Sequence, residues 1–473
     1  MKKFIPLQIV LVAVITLSFT NVFAQSTTNY AIEFSSYAAT KNTLPFWLTA
    51  NKFGVVPNSS NGIVSTSVFK DFDKESNKPF LFSYKASFSS AVATDGQTII
   101  NELYAGFKYK NLQLIVGNKY NEVLWEGLSS SNGNILQSTN ARAYPGIALK
   151  SANYFKLPFA KRWLTVSFSY ADYILNDTRF NGTVNLHSKS LYFKSALSKK
   201  FSLITGLEHN VQWGGSSEEF GKQPSSFKDY LRVISGSSGG VDALEGDQIN
   251  ALGNTIGGYL LQLNYTGAKT NWNFYLSHPF EDRSGREFMN WSDNLYGVFI
   301  DFKKNKAFIS HLVTEFTYTK NMSGGSPHGR TPDGVAFVAS GRDNYFNNGI
   351  YQSGWTYFGN TIGSPYFTTK PVDENGITKG VIIGDNRFMA FNTGFKGYIK
   401  NIAYDAMFSY VTYFGWFGKE YSPRPIQFSG IFNVVLPTHK LPFKIAIGTA
   451  FDTGTYRPVN FGGYIKLIKT GVF

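Results

Sequence analysis

The chain has 473 residues, a formal charge of +14, no cysteine, 17% aromatic residues and 45 glycines. Without cysteine, neither disulfides nor cysteine–metal centres hold it together. Charged residues make up only 16%, and so many β-favouring rings and turn-forming glycines point to many strands and tight turns, not helices.

The first residues read as a secretory leader. Lys2 and Lys3 open it, an apolar run follows over 9–19, and Val22, Phe23 and Ala24 precede a cleavage point at Gln25. The run is too short to be a spanning helix, and no later stretch reaches about eighteen apolar residues. The expected division is a leader over 1–24 and one barrel domain over 25–473. Taking Lys2 and Lys3 from +14 leaves +12. An exported basic chain meets anionic surfaces or anionic polymers rather than nucleic acid.

Beyond about residue 28 the chain reads as short alternating segments. Leu103, Ala105, Phe107 and Tyr109 alternate with Glu102, Tyr104, Gly106 and Lys108. Leu164, Val166, Phe168 and Tyr170 alternate with Thr165, Ser167 and Ser169; Trp272, Phe274 and Leu276 with Asn273, Tyr275 and Ser277. Ile402, Tyr404, Ala406, Phe408 and Tyr410 alternate with Ala403, Asp405, Met407 and Ser409. One apolar and one small or polar face, at about ten residues per segment, is the pattern of a transmembrane barrel with a wet interior.

The connections favour the barrel over a soluble sandwich. Short, often Lys-containing links at 108–111, 156–162, 198–200, 266–269, 303–306, 400–401 and 437–442 alternate with often long ones at 40–61, 118–144, 214–250, 279–294 and 320–385. A barrel sorts its connections by parity, with short periplasmic turns and long outer loops, whereas a sandwich has no reason to. The expected fold is therefore all-β: a transmembrane antiparallel β-barrel of about 18 strands, its long extracellular loops partly plugging the lumen. Loops 214–250 and 320–385 are the expected plugs, and 217–233 can hold a short helix. Phe473 ends the chain on an aromatic, as outer-membrane barrels do for recognition by the barrel assembly machinery.

Segment 341–365 has neither helical nor strand periodicity, yet it interleaves Tyr345, Phe346, Tyr351, Trp355, Tyr357 and Phe358 with glycines and amides. On one reading these rings pack on one another in an ordered loop. On the other, Tyr345, Tyr351, Trp355 and Tyr357 stack on sugar C–H faces while Asn347, Asn348 and Gln352 pair with hydroxyls. Arg283, Arg286 and Arg342 are the anion partners, forked donors for acidic groups in a cluster facing the lumen, unless their own acidic neighbours hold them. The six histidines are scattered outside any nucleophile motif, and adjacent carboxylates such as Glu281-Asp282 do not provide two-sided glycosidase spacing. No calcium-loop spacing occurs. No enzyme, cofactor or metal is expected.

Four segments in this order resemble the Wzi-type capsule assembly family as found in Bacteroidetes-like bacteria. They are Thr43-Leu-Pro-Phe-Trp-Leu-Thr-Ala-Asn-Lys-Phe-Gly54; Asn101-Glu-Leu-Tyr-Ala105; Phe280-Glu-Asp-Arg-Ser-Gly285 with Asp293-Asn-Leu-Tyr-Gly297; and Asp343-Asn-Tyr-Phe-Asn-Asn-Gly-Ile-Tyr-Gln-Ser-Gly-Trp-Thr-Tyr357 with Ile362-Gly-Ser-Pro365. The resemblance implies an outer-membrane barrel of about eighteen strands whose outer loops bind capsular polysaccharide. The chain departs from distant members in loop length. The expected partners are capsular or exopolysaccharide, outer-membrane lipids and lipopolysaccharide, and the assembly machinery, with no nucleic acid and a monomeric barrel in a Gram-negative outer membrane. The competing readings are a porin or solute channel, and a structural or adhesin barrel.

Overall fold

A computed structural model describes residues 28–473 except 74, 77, 93–96, 158–162, 282, 305, 325–328, 331–335, 338–342, 371–381 and 439–440, together with the side chains at 283, 329–330 and 336–337. The leader expected over 1–24 lies outside the described residues.

Eighteen long strands form one closed antiparallel barrel. They are β1 Asn29–Ala39, β2 Asn61–Lys70, β3 Phe80–Ala91, β4 Thr98–Tyr109, β5 Leu112–Asn118 and β6 Gly146–Ser151. Then come β7 Leu164–Leu175, β8 Val184–Ala196, β9 Phe201–Trp213, β10 Asn254–Thr266, β11 Asn271–Phe280 and β12 Asn294–Asp301. The last six are β13 His311–Tyr318, β14 Arg387–Ile399, β15 Ile402–Trp416, β16 Ile426–Leu436, β17 Lys444–Gly454 and β18 Asn460–Val472. A two-residue arm, Lys419–Glu420, hairpins onto β15. Each strand pairs with its chain neighbours, and β1 closes the ring on β18 from Asn29↔Val472 to Ala39↔Gly462. Closure leaves no unpaired edge, which a wall in hydrocarbon requires.

The alternation predicts the facing correctly. Leu103 and Phe107 of β4, Phe274 of β11 and Tyr410 of β15 are exposed on the outside, while Tyr104, Tyr275 and Met407 are buried inside. All the long connections leave one end of the barrel, the loop end, and the other end carries only shorter turns.

The interior departs from the wet lumen expected. Three loops from the loop end, residues 40–60, 119–145 and the described parts of 319–386, fold into it and share one apolar core with the inward side chains of the wall. Helix α1 Phe46–Thr49 brings Phe46, Trp47 and Leu48; the second loop brings Leu128, Ile135 and Leu136; the third brings Trp355, Tyr366 and Phe367. Loop 214–253 does not plug. Its helix α2 Phe227–Ser235 lies against Val211 and Trp213, which share the outward facing of Leu207 on β9.

Candidate functional site

The deepest plug element is loop 119–145, and Glu315 of β13 anchors it. This buried carboxylate accepts hydrogen bonds from Ser129 Oγ at 2.5 Å, Ser130 N at 2.7 Å and Ser130 Oγ at 2.6 Å, and from Tyr275 Oη at 2.7 Å. Asn392 Nδ2 adds a donor at 3.3 Å. Gly394 is a glycine for a steric reason: a Cβ there would meet the Leu128 carbonyl oxygen at 2.6 Å. Below this anchor the loop turns sharply. Trp125 and Glu126 both take left-handed φ of 52° and 57°, a strain offset when Trp125 stacks on Tyr275 at 4.6 Å and Glu126 pairs with Lys396.

Between this loop and the wall of β5–β9 runs a polar cleft. Its main cavity is about 220 Å³, lined by Lys119, Tyr120, Tyr144, Lys150, Tyr173 and Glu208, with Gln137, Ser169 and Ser190. A narrow neck continues it past Phe53 and Arg142, where Arg142 Nη2 donates to Gln97 Oε1 at 3.2 Å on the loop-end rim. Phe53 and Tyr120 stack at 3.9 Å, and Tyr144 meets Tyr173 edge-on at 4.9 Å. Burial, reinforced by Lys150, pulls the Lys119 ammonium below its ordinary range. Two cations beside tyrosine rings, serines and an amide suit a polar ring carrying an acidic group. The volume is below the roughly 300–1,000 Å³ of ordinary small-molecule sites, room for about one ring.

The rings expected as stacking faces sit elsewhere, in the arrangement of the other reading, an ordered loop with its rings packed inside. Tyr345, Tyr351, Trp355 and Tyr357 are all buried in the plug core. Trp355 Nε1 donates to the Leu136 carbonyl at 2.7 Å, Tyr357 Oη to Asn176 Oδ1 at 2.6 Å, and Tyr345 Oη to Asp293 Oδ2 at 2.8 Å. Their apolar faces are used by protein because three loops meet there. The amides are structural pins as well. Asn347 Nδ2 donates to the Ile383 carbonyl at 3.0 Å and its Oδ1 accepts from Ile383 N at 2.9 Å. Asn348 Oδ1 accepts from Ile350 N and Tyr351 N, each at 2.9 Å. Gln352, half-buried, donates to the Gly349 carbonyl at 3.3 Å. Among the described residues of this set Tyr357 approaches the cleft, its ring 5.8 Å from that of Tyr144.

Arg286, the one of the three arginines whose side chain is described, is not in the lumen. Arg286 is exposed on the rim loop 281–293, whose Phe288 stacks on Tyr259 at 4.9 Å, on the same face as the lipid-facing Leu261. Arg342 and the Arg283 side chain lie outside the described residues. Lys119 and Lys150 went unnoticed in the sequence. Lys150 carried a usable signal, because it shares the inward parity of Ala148 on β6.

The rim loop is tied to the plug through buried Asp293, which accepts from Met322 N at 2.6 Å, Asn321 N at 2.9 Å and Tyr345 Oη. Burial raises the Asp293 carboxyl to about 6. A pKa raised above its unfolded value means the folded form holds the proton more tightly, so stability grows as pH falls from about 6 towards 4 and is lost as pH rises. Wild-type protein should lose its heat-modifiable gel migration at a lower temperature at pH 8 than at pH 5, and Asp293→Asn should flatten that difference. Between pH 8 and pH 5 the expected difference is about 1.4 kcal/mol, one unit below a pKa of about 6. An unchanged pH profile in the Asp293→Asn variant would remove Asp293 from the account.

Among the described residues no group of three His, Asp or Glu is placed to hold a metal ion, and none of their helices is long and apolar enough to cross a membrane. Fold and site together define an outer-membrane β-barrel whose own loops pack an apolar core inside the lumen. The family model of capsule assembly protein Wzi matches residues 48–371, more than half of the chain, and the chain belongs to that family. Among solved structures it is similar to Wzi of Escherichia coli, an outer-membrane protein involved in group 1 capsule assembly and a carbohydrate-binding β-barrel. That likeness has 11% identity and a TM-score of 0.57, covering 92% of this chain and 83% of that one. At this identity it is one of fold. Pseudomonas aeruginosa OccK3 (OpdO) gives 8% identity and a TM-score of 0.49 over 95% of this chain and 96% of that one. Pseudomonas aeruginosa OprD gives 7% and 0.45 over 94% and 93%. No curated protein matches the sequence.

Proposed function

We propose that this chain binds capsular polysaccharide at the outer face of a Gram-negative outer membrane and supports capsule assembly there, without covalent chemistry. The observation that carries the reading is a capsule-assembly family member whose own loops pack a core inside its lumen. A through-channel needs open cross-section, whereas a holder needs a rigid recess. In this reading the chain is exported behind a cleaved leader, inserted by the barrel assembly machinery, and monomeric among lipopolysaccharide. The cleft beside loop 119–145 takes a chain end or single residue of the polymer, its acidic group against Lys119 and Lys150 and its ring edges against Tyr120 and Tyr144.

The double variant Lys119→Ala/Lys150→Ala should weaken binding of purified barrel to the host's capsular polysaccharide by about tenfold or more, given about 1.5–3 kcal/mol per charge-assisted contact. Cells carrying it should release capsule into the medium as cells lacking the protein do, with the heat-modifiable migration of the barrel preserved. Undiminished binding by a folded double variant would move the site out of this cleft.

A further inference from the structure

Loop 214–253 leaves the loop end and turns back over the outer wall. The outward positions of β7–β9 begin at the turn end as a membrane surface should, with Phe201, Leu203 and Leu207 on β9 and Leu191 and Phe193 on β8. Towards the loop end the apolar run is broken on these faces by Asp172, His187, Lys189 and His209, with Ile174, Val211 and Trp213 among them. From Phe201 to Leu207 the apolar strip of β9 is about 16 Å tall, at about 3.4 Å per residue and a tilt near 40°. A barrel's apolar band is about 25 Å tall. On this side the uninterrupted apolar strip is shorter than that band.

Helix α2 lies over the interrupted part. Its start is defined by Ser226 and Asp229 in a reciprocal capping box, and its end by Gly236 at φ 66°. Its inner face satisfies the polar wall. Tyr230 Oη donates to Asp172 Oδ2 at 2.6 Å, Lys189 donates to the Ile234 carbonyl, and the Tyr230 ring stacks on Trp213 at 5.6 Å. Val233, Ala243 and Leu252 complete a small core on Val211. Its outer face is apolar where an extracellular loop would be polar. Phe227 is 75% exposed and Leu231, one turn on, is 51% exposed. Val241 and Ile249 are exposed in the following segment, and Lys228 is exposed beside Phe227. Round the wall, exposed Phe288 and Trp291 of the rim loop continue the rim of apolar side chains.

We propose that residues 227–249 form an interfacial lipid anchor, in which Phe227 and Leu231 enter the acyl chains of the outer leaflet while the underside of the helix shields Asp172, His187, Lys189 and His209 from them. The occupant is lipid because the exposed stripe is continuous with the barrel's lipid-facing band and covers the part of the wall where that band is interrupted. Lys228 then lies level with headgroup phosphates. The segment is a second wall, seated in the membrane, not an arm reaching for polysaccharide.

The chain has no cysteine, so single labels can be placed in the full-length protein. Leu231→Cys and, as a reference on an exposed plug-loop residue, Ser59→Cys would each carry a nitroxide in liposomes containing lipopolysaccharide. The label at 231 should be several-fold more accessible to oxygen relative to a water-soluble nickel complex than the label at 59, at every protein density. Equal nickel access at both positions would put the helix in water and overturn the proposal. So would protection that appears only at high protein density with spin–spin broadening, because a second copy would then occupy the face. A Phe227→Cys label should repeat the result at 231, and its failure to do so counts against the anchor.

Discussion

Glu315→Ala should convert a nearly silent barrel into a conducting one. In planar bilayers the wild-type protein should pass little ion current, because three loops and the wall share one core across the lumen. Removing the Glu315 carboxylate strands Ser129, both donors of Ser130 and the Tyr275 hydroxyl at once, all within 2.7 Å of it in the intact protein. Buried donors left without an acceptor cost about 1–3 kcal/mol each, and breaking a buried charged anchor about 3–5 kcal/mol in all. The wall need not unfold, since β13 keeps its ladders to β12 and β14. Loop 119–145 should therefore detach while heat-modifiable migration persists. Glu315→Gln, which keeps the shape and one acceptor, should conduct less than the alanine variant. An alanine variant as silent as wild type would show that the plug is held from elsewhere, and steady current through the wild type would favour the porin reading.

Trp355→Ala should lower polysaccharide retention for a reason different from lost stacking. The ring has no exposed surface, and its indole N–H is bonded to the Leu136 carbonyl. The same residue's backbone holds the plug through Phe346 at 2.8 Å and Ile362 at 3.0 Å. Truncating a fully buried Trp costs about 3–5 kcal/mol through lost transfer energy and the cavity left behind. The described parts of loop 319–386 should become protease-sensitive in step with the loss of retention, and Trp355→Phe, which refills most of the space, should restore both. Lost retention in an alanine variant whose loop stays protease-resistant would return the ring to the role of a sugar face.

These two results separate what is local in this protein from what is not. The barrel was legible because its rules act residue by residue. Leu103, Phe107, Phe274 and Tyr410 face lipid while Tyr104, Tyr275 and Met407 face inward, a two-residue period that any strand in a membrane must show. The loops obey no such rule. Segment 341–365 has the composition of a sugar-gripping surface and of a loop core alike, since aromatic rings and amides serve both.

The amino-acid sequence by itself determined the wall, its strand number and the end from which the long loops leave, because hydrocarbon forces every backbone group into a closed ladder and the side chains that meet it to be apolar. Only the tertiary structure decided where those loops go: Trp355 into a core, Lys119 beside a cleft, helix α2 over the outside of β7–β9. That choice is made by surfaces far apart in the chain. The outward Asp172, His187, Lys189 and His209 need a cover as much as the inward Leu186 and Val313 need a plug, and no local periodicity tells a loop which of the two it serves.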